Sequence, residues 1–424
     1  VNTRRDHGGV MFFDLRDASG IAQVVVHPGR VPRVAAEAQG LRDEYCIAVT
    51  GIVQLRDEAN RNPEMATGEV EVEATELTVL SPSDPLPFQI DDRAEADEVR
   101  RLEYRYLDLR RPRMAQNLRA RSAAIKAMRR ALDEASFLEI ETPTLIRSTP
   151  EGARDVLVPS RLRQGSFYAL PQSPQLFKQL LMVGGVERYY QIARCYRDED
   201  FRADRQLEFS QLDIEGAFWG QEGVFATLEA VMVEVARDLV GIELETPFPR
   251  LTYAEAMARF GTDKPDVRFG MELVELNEVF ASSDFRAFRS TVEADGLVAG
   301  INAGNLGLSR GGLDNLVEQA TGLGAKGLVW MVVQEDGTLR SPVAKFLGAA
   351  EQEAAKEALD AAPGDTLLLV ADNAALVRRV LGQLRLDLGR PEGHDDLHFL
   401  WVTEFPVFEV DPDGNLHPAH HPFT

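Results

Sequence analysis

The residue types best suited to chemistry crowd into one stretch, Arg197-Asp198-Glu199-Asp200-Phe201-Arg202-Ala203-Asp204-Arg205-Gln206. An arginine at a strand end suits a phosphate, because its planar fork holds two oxygens at once. A carboxylate two residues on, Glu199, points to the same face of an extended chain and can accept from an amino group. Phe209, on the following strand, offers a flat surface for a purine ring. A charge-rich tip is otherwise a solvated turn, so this reading depends on what surrounds it. Ordinary nucleotide signatures are missing: there is no GxxxxGK[ST] phosphate loop, no GxGxxG after a strand and no CxxC pair for zinc. Asn302-Ala303-Gly304-Asn305-Leu306-Gly307 has glycines without that spacing. A nucleotide here must be held by side chains. His420-His421 suggests a metal pair, yet adjacent histidines in a strand face opposite ways. No metal site is therefore expected within the chain.

The elements that must position these groups are legible from periodicity. Arg188–Tyr196 and Leu207–Phe218 form an antiparallel hairpin with the charged stretch at its tip, and Gln221–Val240 reads as a helix. Leu118, Ile125, Met128 and Leu132 share one arc of an earlier helix, with Arg121 intruding. That helix ends before Phe137–Thr142, a strand halted by Pro143. Residues 1–82 read as strands at Val1, Val10–Leu15, Ile21–Val26, Tyr45–Leu55 and Glu69–Leu80, with a helix near Pro32–Glu44. Five strands with a helix between the third and fourth suit an OB-fold barrel, whose second and third strands bind single-stranded nucleic acid. One of Phe12 and Phe13 must face outward there, and Glu69, Glu71 and Glu73 alternate with inward Val70, Val72 and Ala74. Ser81–Pro87 is proline-rich and opens a linker over 83–112. The fold class is multidomain α+β. Residues 113–267 form the second domain, 268–395 an inserted α+β domain, and 396–424 a return that includes the strand Trp401–Phe408.

The 424 residues, with 44% hydrophobic and 27% charged, belong to an ordinary globular chain with no apolar run long enough for a bilayer. Cys46 and Cys195 lie far apart, which fits a reducing compartment and points to the cytoplasm. Net charge is −22, a poor first argument for nucleic-acid binding. Its distribution matters more: Arg100–Arg130 carries eleven basic residues against Glu103 and Asp108. Val1-Asn2-Thr3-Arg4-Arg5 reads as the middle of a strand, so the chain is expected to begin inside a domain.

Arg197-x-Glu199, its loop and Phe209 resemble motif 2 of class II aminoacyl-tRNA synthetases, and the helix and strand ending at Pro143 resemble motif 1, which in that class builds the dimer interface. Tyr104–Pro112, Thr149–Asp155, Ala169–Gln179 and His420–Thr424 are similar to bacterial-type aspartyl-tRNA synthetases. The resemblance runs over the whole chain and includes the GAD-type insertion of the bacterial form. It implies that Arg197 holds the ATP α-phosphate and the substrate carboxylate, that Glu199 meets the adenine amino group, and that Phe209 stacks the ring, with Asp198 and Gln206 also at the ATP. Glu151 would take the α-amino group of aspartate. Gln175 and Lys178 would line the amino-acid pocket, Lys178 facing the side-chain carboxylate, and His420 would close over it. In the barrel, Phe12 and Gln23 match readers of the central anticodon base, and Arg5, Glu71, Asn60 and Asn62 match other anticodon contacts.

The resemblance therefore implies aspartate activation with ATP and Mg²⁺, transfer to tRNA(Asp), and a homodimer through motif 1. His7 and Ala59 resemble forms that also charge tRNA(Asn). Leu207 stands where the family usually has proline. The family's arginine-bearing motif 3 and the segment expected to hold Mg²⁺ would lie beyond Thr424, so the chain as given is expected to be inactive. The rival expectations are a sister enzyme for asparagine or lysine, and a paralogue or fragment that binds tRNA without catalysis.

Overall fold

Alternating apolar residues build the first sheet. β1 (Thr3–His7), β2 (Val10–Arg16) and β3 (Ile21–Val26) run antiparallel, and α1 (Pro32–Gln39) follows. β4 (Cys46–Leu55) and β5 (Val70–Ser81) complete the order β1-β2-β3-β5-β4, with β3 and β5 parallel. This is the expected OB arrangement. The computed structural model describes residues 1–93, 95–149, 151–200, 202, 205–390, 396–410 and 414–419. Met11, Phe13, Val24 and Val26 point inward, and Phe13 is wholly buried, while Phe12 faces the other way and is half-buried. α1 is shorter than Pro32–Glu44 because it stops at Gly40, a poor helix former. In β4 the register shifts between Thr50 and Gly51, where a side chain would lie 2.4 Å from the Glu73 carbonyl oxygen.

The chain forms two compact units, Val1–Lys126 and Ala127–Thr424. In the first, two short helices, Glu98–Glu103 and Arg105–Asp108, follow the barrel. Asp108, fully buried, accepts from Arg101 Nε at 2.8 Å and from Arg105, with Arg111 4.0 Å away. Arg110 bonds Glu44. Much of the basic run is thus neutralised within the protein. Further along it, Arg129 reaches Glu139 at 2.7 Å and Arg130 reaches Asp238 at 3.0 Å.

α2 (Pro112–Glu134) buries Ala127, Ala131 and Leu132, but Leu118 is 52% exposed, so the expected apolar arc holds only over the C-terminal half. The strand expected over Phe137–Thr142 is reduced to β6 (Leu138–Glu139), which pairs parallel with Tyr189 and Tyr190. α3 (Gln175–Val183) precedes the hairpin of β7 (Arg188–Tyr196) and β8 (Glu208–Gly216), followed by α4 (Gln221–Val240). β9 (Arg250–Thr252) leads into α5 (Tyr253–Phe260).

A separate five-stranded sheet occupies 274–372, in the strand order 274–275, 297–302, 366–372, 329–333, 339–340. Its strands are apolar on both faces. Ala299, Ile301, Leu368 and Val370 meet helices 310–322 and 374–389, and Val298, Leu367 and Leu369 pack with Phe288 and Ala355 of helices 286–293 and 349–358. Helix 374–389 docks on the end of α5 without intervening side chains. A Cβ on Gly261 would sit 2.1 Å from the Arg378 carbonyl oxygen, and one on Gly382 would sit 2.8 Å from that of Phe260. Arg385, 1% exposed, donates to the carbonyls of Asp266, Phe269 and Gly270 at 2.8–2.9 Å. Trp401–Phe408 is not one strand. Trp401–Thr403 pairs with β9, Glu404 adopts φ 58°, and Phe408–Val410 starts a new strand after Pro406.

Candidate functional site

The hairpin register decides what meets what. Phe209 lies opposite Cys195, Gln211 opposite Ala193, Asp213 opposite Gln191 and Glu215 opposite Tyr189. Alternation places Phe209, Gln211, Asp213 and Glu215 on one face of β8, and that face meets Lys178 of α3. Arg197 continues β7 on the same face. Its guanidinium lies 5.1 Å from the Phe209 ring centre, and its Nε donates to the Gln172 carbonyl oxygen at 3.4 Å. Phosphate fork and aromatic plate are therefore adjacent, as the spacing required. Glu199 accepts from Arg205 at 3.4 Å, Asp198 is exposed with its amide donating to the Arg154 carbonyl at 3.0 Å, and Gln206 is exposed.

Lys178 sits between two carboxylates, 2.9 Å from Asp213 Oδ1 and 3.2 Å from Glu215 Oε2, with 12% of its side chain exposed. Burial by itself would lower the lysine pKa, but hydrogen bonds and charge from Asp213 and Glu215 outweigh it and hold the pKa raised. Burial, with Glu215 nearby, raises the pKa of Asp213. The Tyr189 hydroxyl lies beside Asp213 but donates to Gln191 Oε1 at 2.9 Å, and Asp213 Oδ2 is left buried with no donor. Gln175, one helical turn from Lys178, likewise has a buried Nε2 with no acceptor. Buried polar atoms are seldom left unpaired, and these two lie on facing elements, α3 and β8.

Glu151 enters from the preceding loop, held by Thr149 Oγ1 at 3.0 Å and Ser173 Oγ at 2.6 Å. Cys195 is buried in β7 opposite Phe209, with its thiol 3.2 Å from Gln211 Oε1. Burial pushes its thiol up to about 11, and the charges of Arg197, Asp213 and Glu151 all act on it. The structure thus gathers these groups by pairs around the hairpin and the start of α3: Lys178 meets Asp213 and Glu215, Arg197 meets Phe209 and the Gln172 carbonyl, and Glu151 meets Ser173. His420 lies outside the described residues. Sequence reasoning missed Asp213, Glu215, Ser173, Gln172 and Tyr189. The signal was present in β8, where acidic residues two apart share a face with Phe209. Among the described residues no group of three or more His, Cys, Asp or Glu side chains is placed to hold a metal ion, so no Mg²⁺ ligand set is found in them.

On the barrel, a second polar row runs across β1, β2, β3, β5 and β4. Arg5 bonds Asp14 at 3.1 Å and Gln23 at 3.3 Å, Gln23 donates to Glu71 at 2.9 Å, and Gln54 donates to Glu71 at 3.5 Å. Phe12 is paired in register with Arg5 and lies on the same face. Asn62 accepts from the Glu64 amide at 3.0 Å, which makes it a brace of its own loop. Asn60 and Ala59 are exposed in the turn Glu58–Asn60, and His7 is exposed at the end of β1.

A barrel with an aromatic and polar face, followed in the chain by a hairpin that pairs an arginine with an aromatic ring, defines a class of nucleic-acid-linked, nucleotide-using proteins. The chain belongs to the class II tRNA synthetases (D, K and N), which residues 97–424 match, while residues 1–80 match the OB-fold nucleic acid binding domain. Among its relatives, an aspartate–tRNA(Asp/Asn) ligase of Syntrophomonas wolfei is 50% identical over 429 residues, covering 100% of this chain and 73% of that protein. One of Moorella thermoacetica is 52% identical over 432 residues, covering 100% and 71%. The asparaginyl-tRNA synthetase of Pyrococcus horikoshii shares the fold at TM-score 0.54 and 18% identity, over 92% of this chain and 91% of that one. Among the described residues no helix is long and apolar enough to cross a membrane.

Proposed function

We propose that this chain is the larger part of an aspartate–tRNA ligase that activates L-aspartate with ATP and passes it to the 3′ end of tRNA(Asp), and of tRNA(Asn) as well. The observation that carries the reading is the cleft's charge pattern. A free aspartate has two carboxylates and one ammonium. Facing it are Arg197 and Lys178 as cations, the latter shared with the carboxylates of Asp213 and Glu215, Glu151 as a further anion, and the unpaired amide of Gln175. Phe209 and Asp213 are four residues apart on one strand, roughly 13 Å at about 3.4 Å per residue, a span that an extended aminoacyl adenylate bridges.

The α-carboxylate of aspartate attacks the ATP α-phosphorus in line and expels pyrophosphate, and a terminal ribose hydroxyl of the tRNA then attacks the adenylate. Arg197 neutralises charge on the α-phosphate, Phe209 and Glu199 hold adenine with Asp198 and Gln206 nearby, Glu151 takes the ammonium, and Lys178 takes the side-chain carboxylate. His420 closes the pocket. Neither step needs a covalent enzyme intermediate; positioning and charge stabilisation supply the rate. Mg²⁺, when bound with ATP, would supply further charge neutralisation on the triphosphate.

Phe12, Gln23, Arg5, Glu71, Asn60 and Asn62 read the anticodon, and His7 with Ala59 admits tRNA(Asn), a reading that the names of the relatives support. The domains run 1–82, 83–112, 113–267, 268–395 (GAD-type) and 396–424. Two copies pair through motif 1, whose Leu138 is 57% exposed, and the enzyme works in the cytoplasm. The test is pyrophosphate exchange by the full-length protein with aspartate, asparagine and lysine, then charging of purified tRNA(Asp) and tRNA(Asn). Exchange with aspartate alone and charging of both tRNAs is expected. Exchange with asparagine or lysine would reassign the amino acid, and tRNA binding without any exchange would leave only the binding function.

A further inference from the structure

Three chain segments converge near these charged groups: the loop carrying Glu151, the turn that leads into α3 and its Lys178, and the β7–β8 hairpin with Arg197. Gln172 touches all three. Its side chain is 1% exposed, and its amide is fully used. Oε1 accepts from the Ala153 amide at 3.1 Å, and Nε2 donates to the Ala153 carbonyl at 2.9 Å and to Asp155 Oδ1 at 2.6 Å. Asp155 is bonded in turn by Ser148. The backbone carbonyl of Gln172 accepts from Arg197 Nε at 3.4 Å. The next residue, Ser173, donates to Glu151. The sequence offered no reason to single out Gln172 from its neighbours in Gln172-Ser173-Pro174-Gln175.

We propose that Gln172 is a positioning residue for amino-acid activation: its side-chain amide locks the loop of residues 151–155 against the turn that carries Ser173, Gln175 and Lys178, fixing Glu151 relative to Lys178 and Arg197. It touches neither substrate. It sets the separation between the groups that receive the two ends of aspartate. Arg197 meets only the backbone carbonyl of Gln172, which a side-chain substitution keeps, and the other ATP contacts on the hairpin are held by the β7–β8 register, so ATP binding depends on this side chain less than aspartate binding does. The role rests on the proposed activation reaction.

The test is aspartate-dependent pyrophosphate exchange by the full-length protein, titrating aspartate and ATP separately. Losing three buried hydrogen bonds in Gln172→Ala raises KM for aspartate about tenfold or more, with KM for ATP changed less than about threefold. Gln172→Glu sets a carboxylate against Asp155 and gives the same split. Adding Asp155→Asn to Gln172→Glu restores a donor–acceptor pair with the roles exchanged, and recovers part of the aspartate KM. A merely structural role would lower the active fraction or the melting temperature and leave both KM values alone. That result, or a double variant no better than Gln172→Glu, overturns the proposal. Wild-type protein that exchanges nothing defeats the activation reading itself and the proposal with it, whereas active wild type with unaltered variants defeats only the role of Gln172.

Discussion

On the barrel face, Arg5, Asp14, Gln23, Glu71 and Gln54 find partners in one another, whereas in the cleft Gln175 Nε2 and Asp213 Oδ2 are buried without any. The difference suits the ligands proposed for each site. A nucleobase brings donors and acceptors of modest strength plus a ring, so a row with exposed Arg5 at one end and buried Asp14 and Gln23 within it can exchange internal bonds for external ones at little net cost. A doubly charged amino acid and a triphosphate must be stripped of water, and only groups fixed and unsatisfied beforehand repay that loss. One surface trades partners, and the other is built with places left open.

The contrast is broken most severely at Arg197. Arg197→Ala is expected to cut adenylate formation by about 10²-fold or more, the scale of losing one preorganised charge contact; pyrophosphate exchange near the wild-type rate would remove that residue from the mechanism. Lys178→Met comes next. It strands Asp213 and Glu215 in a largely buried pocket, and kcat/KM for aspartate should fall by about 10²-fold, with KM for ATP little changed. The same variant has a pH signature. Burial already raises the Asp213 pKa above its unfolded value, and losing the ammonium raises it further. Stability from such a group is present at low pH and lost as pH rises through the folded pKa, so the variant should melt higher near pH 5 than near pH 8. A flat melting profile would show that Asp213 finds another partner.

Phe12→Ala sharpens the other side of the comparison. Stacking is worth about 1–3 kcal/mol per base, so KM for tRNA should rise about tenfold while pyrophosphate exchange stays put. A change in exchange would mean that the barrel face is not a separate binding surface. The smallest effect is expected from a thiol reagent at mildly alkaline pH. Cys46 is exposed, whereas Cys195 is buried and its thiol pushed up to about 11. Only Cys46 should react, leaving aspartate-dependent exchange intact; rapid labelling of Cys195 would show that its place in β7 is open to water.

Much of this was written in local patterns. The β7–β8 hairpin, helix 221–240 and the order of the barrel strands follow from periods of two and 3.6, and proximity of Arg197 to Phe209 follows from strand alternation. What escaped depended on contacts between distant segments. Asp213 and Glu215 look like ordinary strand carboxylates until α3 lays Lys178 between them. Gln172 matters only because residues 153–155 fold back over it. Leu118 kept its place on the helical arc but found nothing to cover it within the described residues, which periodicity cannot reveal. Helix 32–39 and β6 fell short because Gly40 and the sheet edge, not apolar pattern, set their ends.

The seam between α5 and helix 374–389 leaves no room for even one methyl group at Gly261 or Gly382. The inserted body is therefore soldered to its host rather than hung from a string. A side chain at either position would push helix 374–389 off α5, so these two glycines set how closely the inserted body and its host approach.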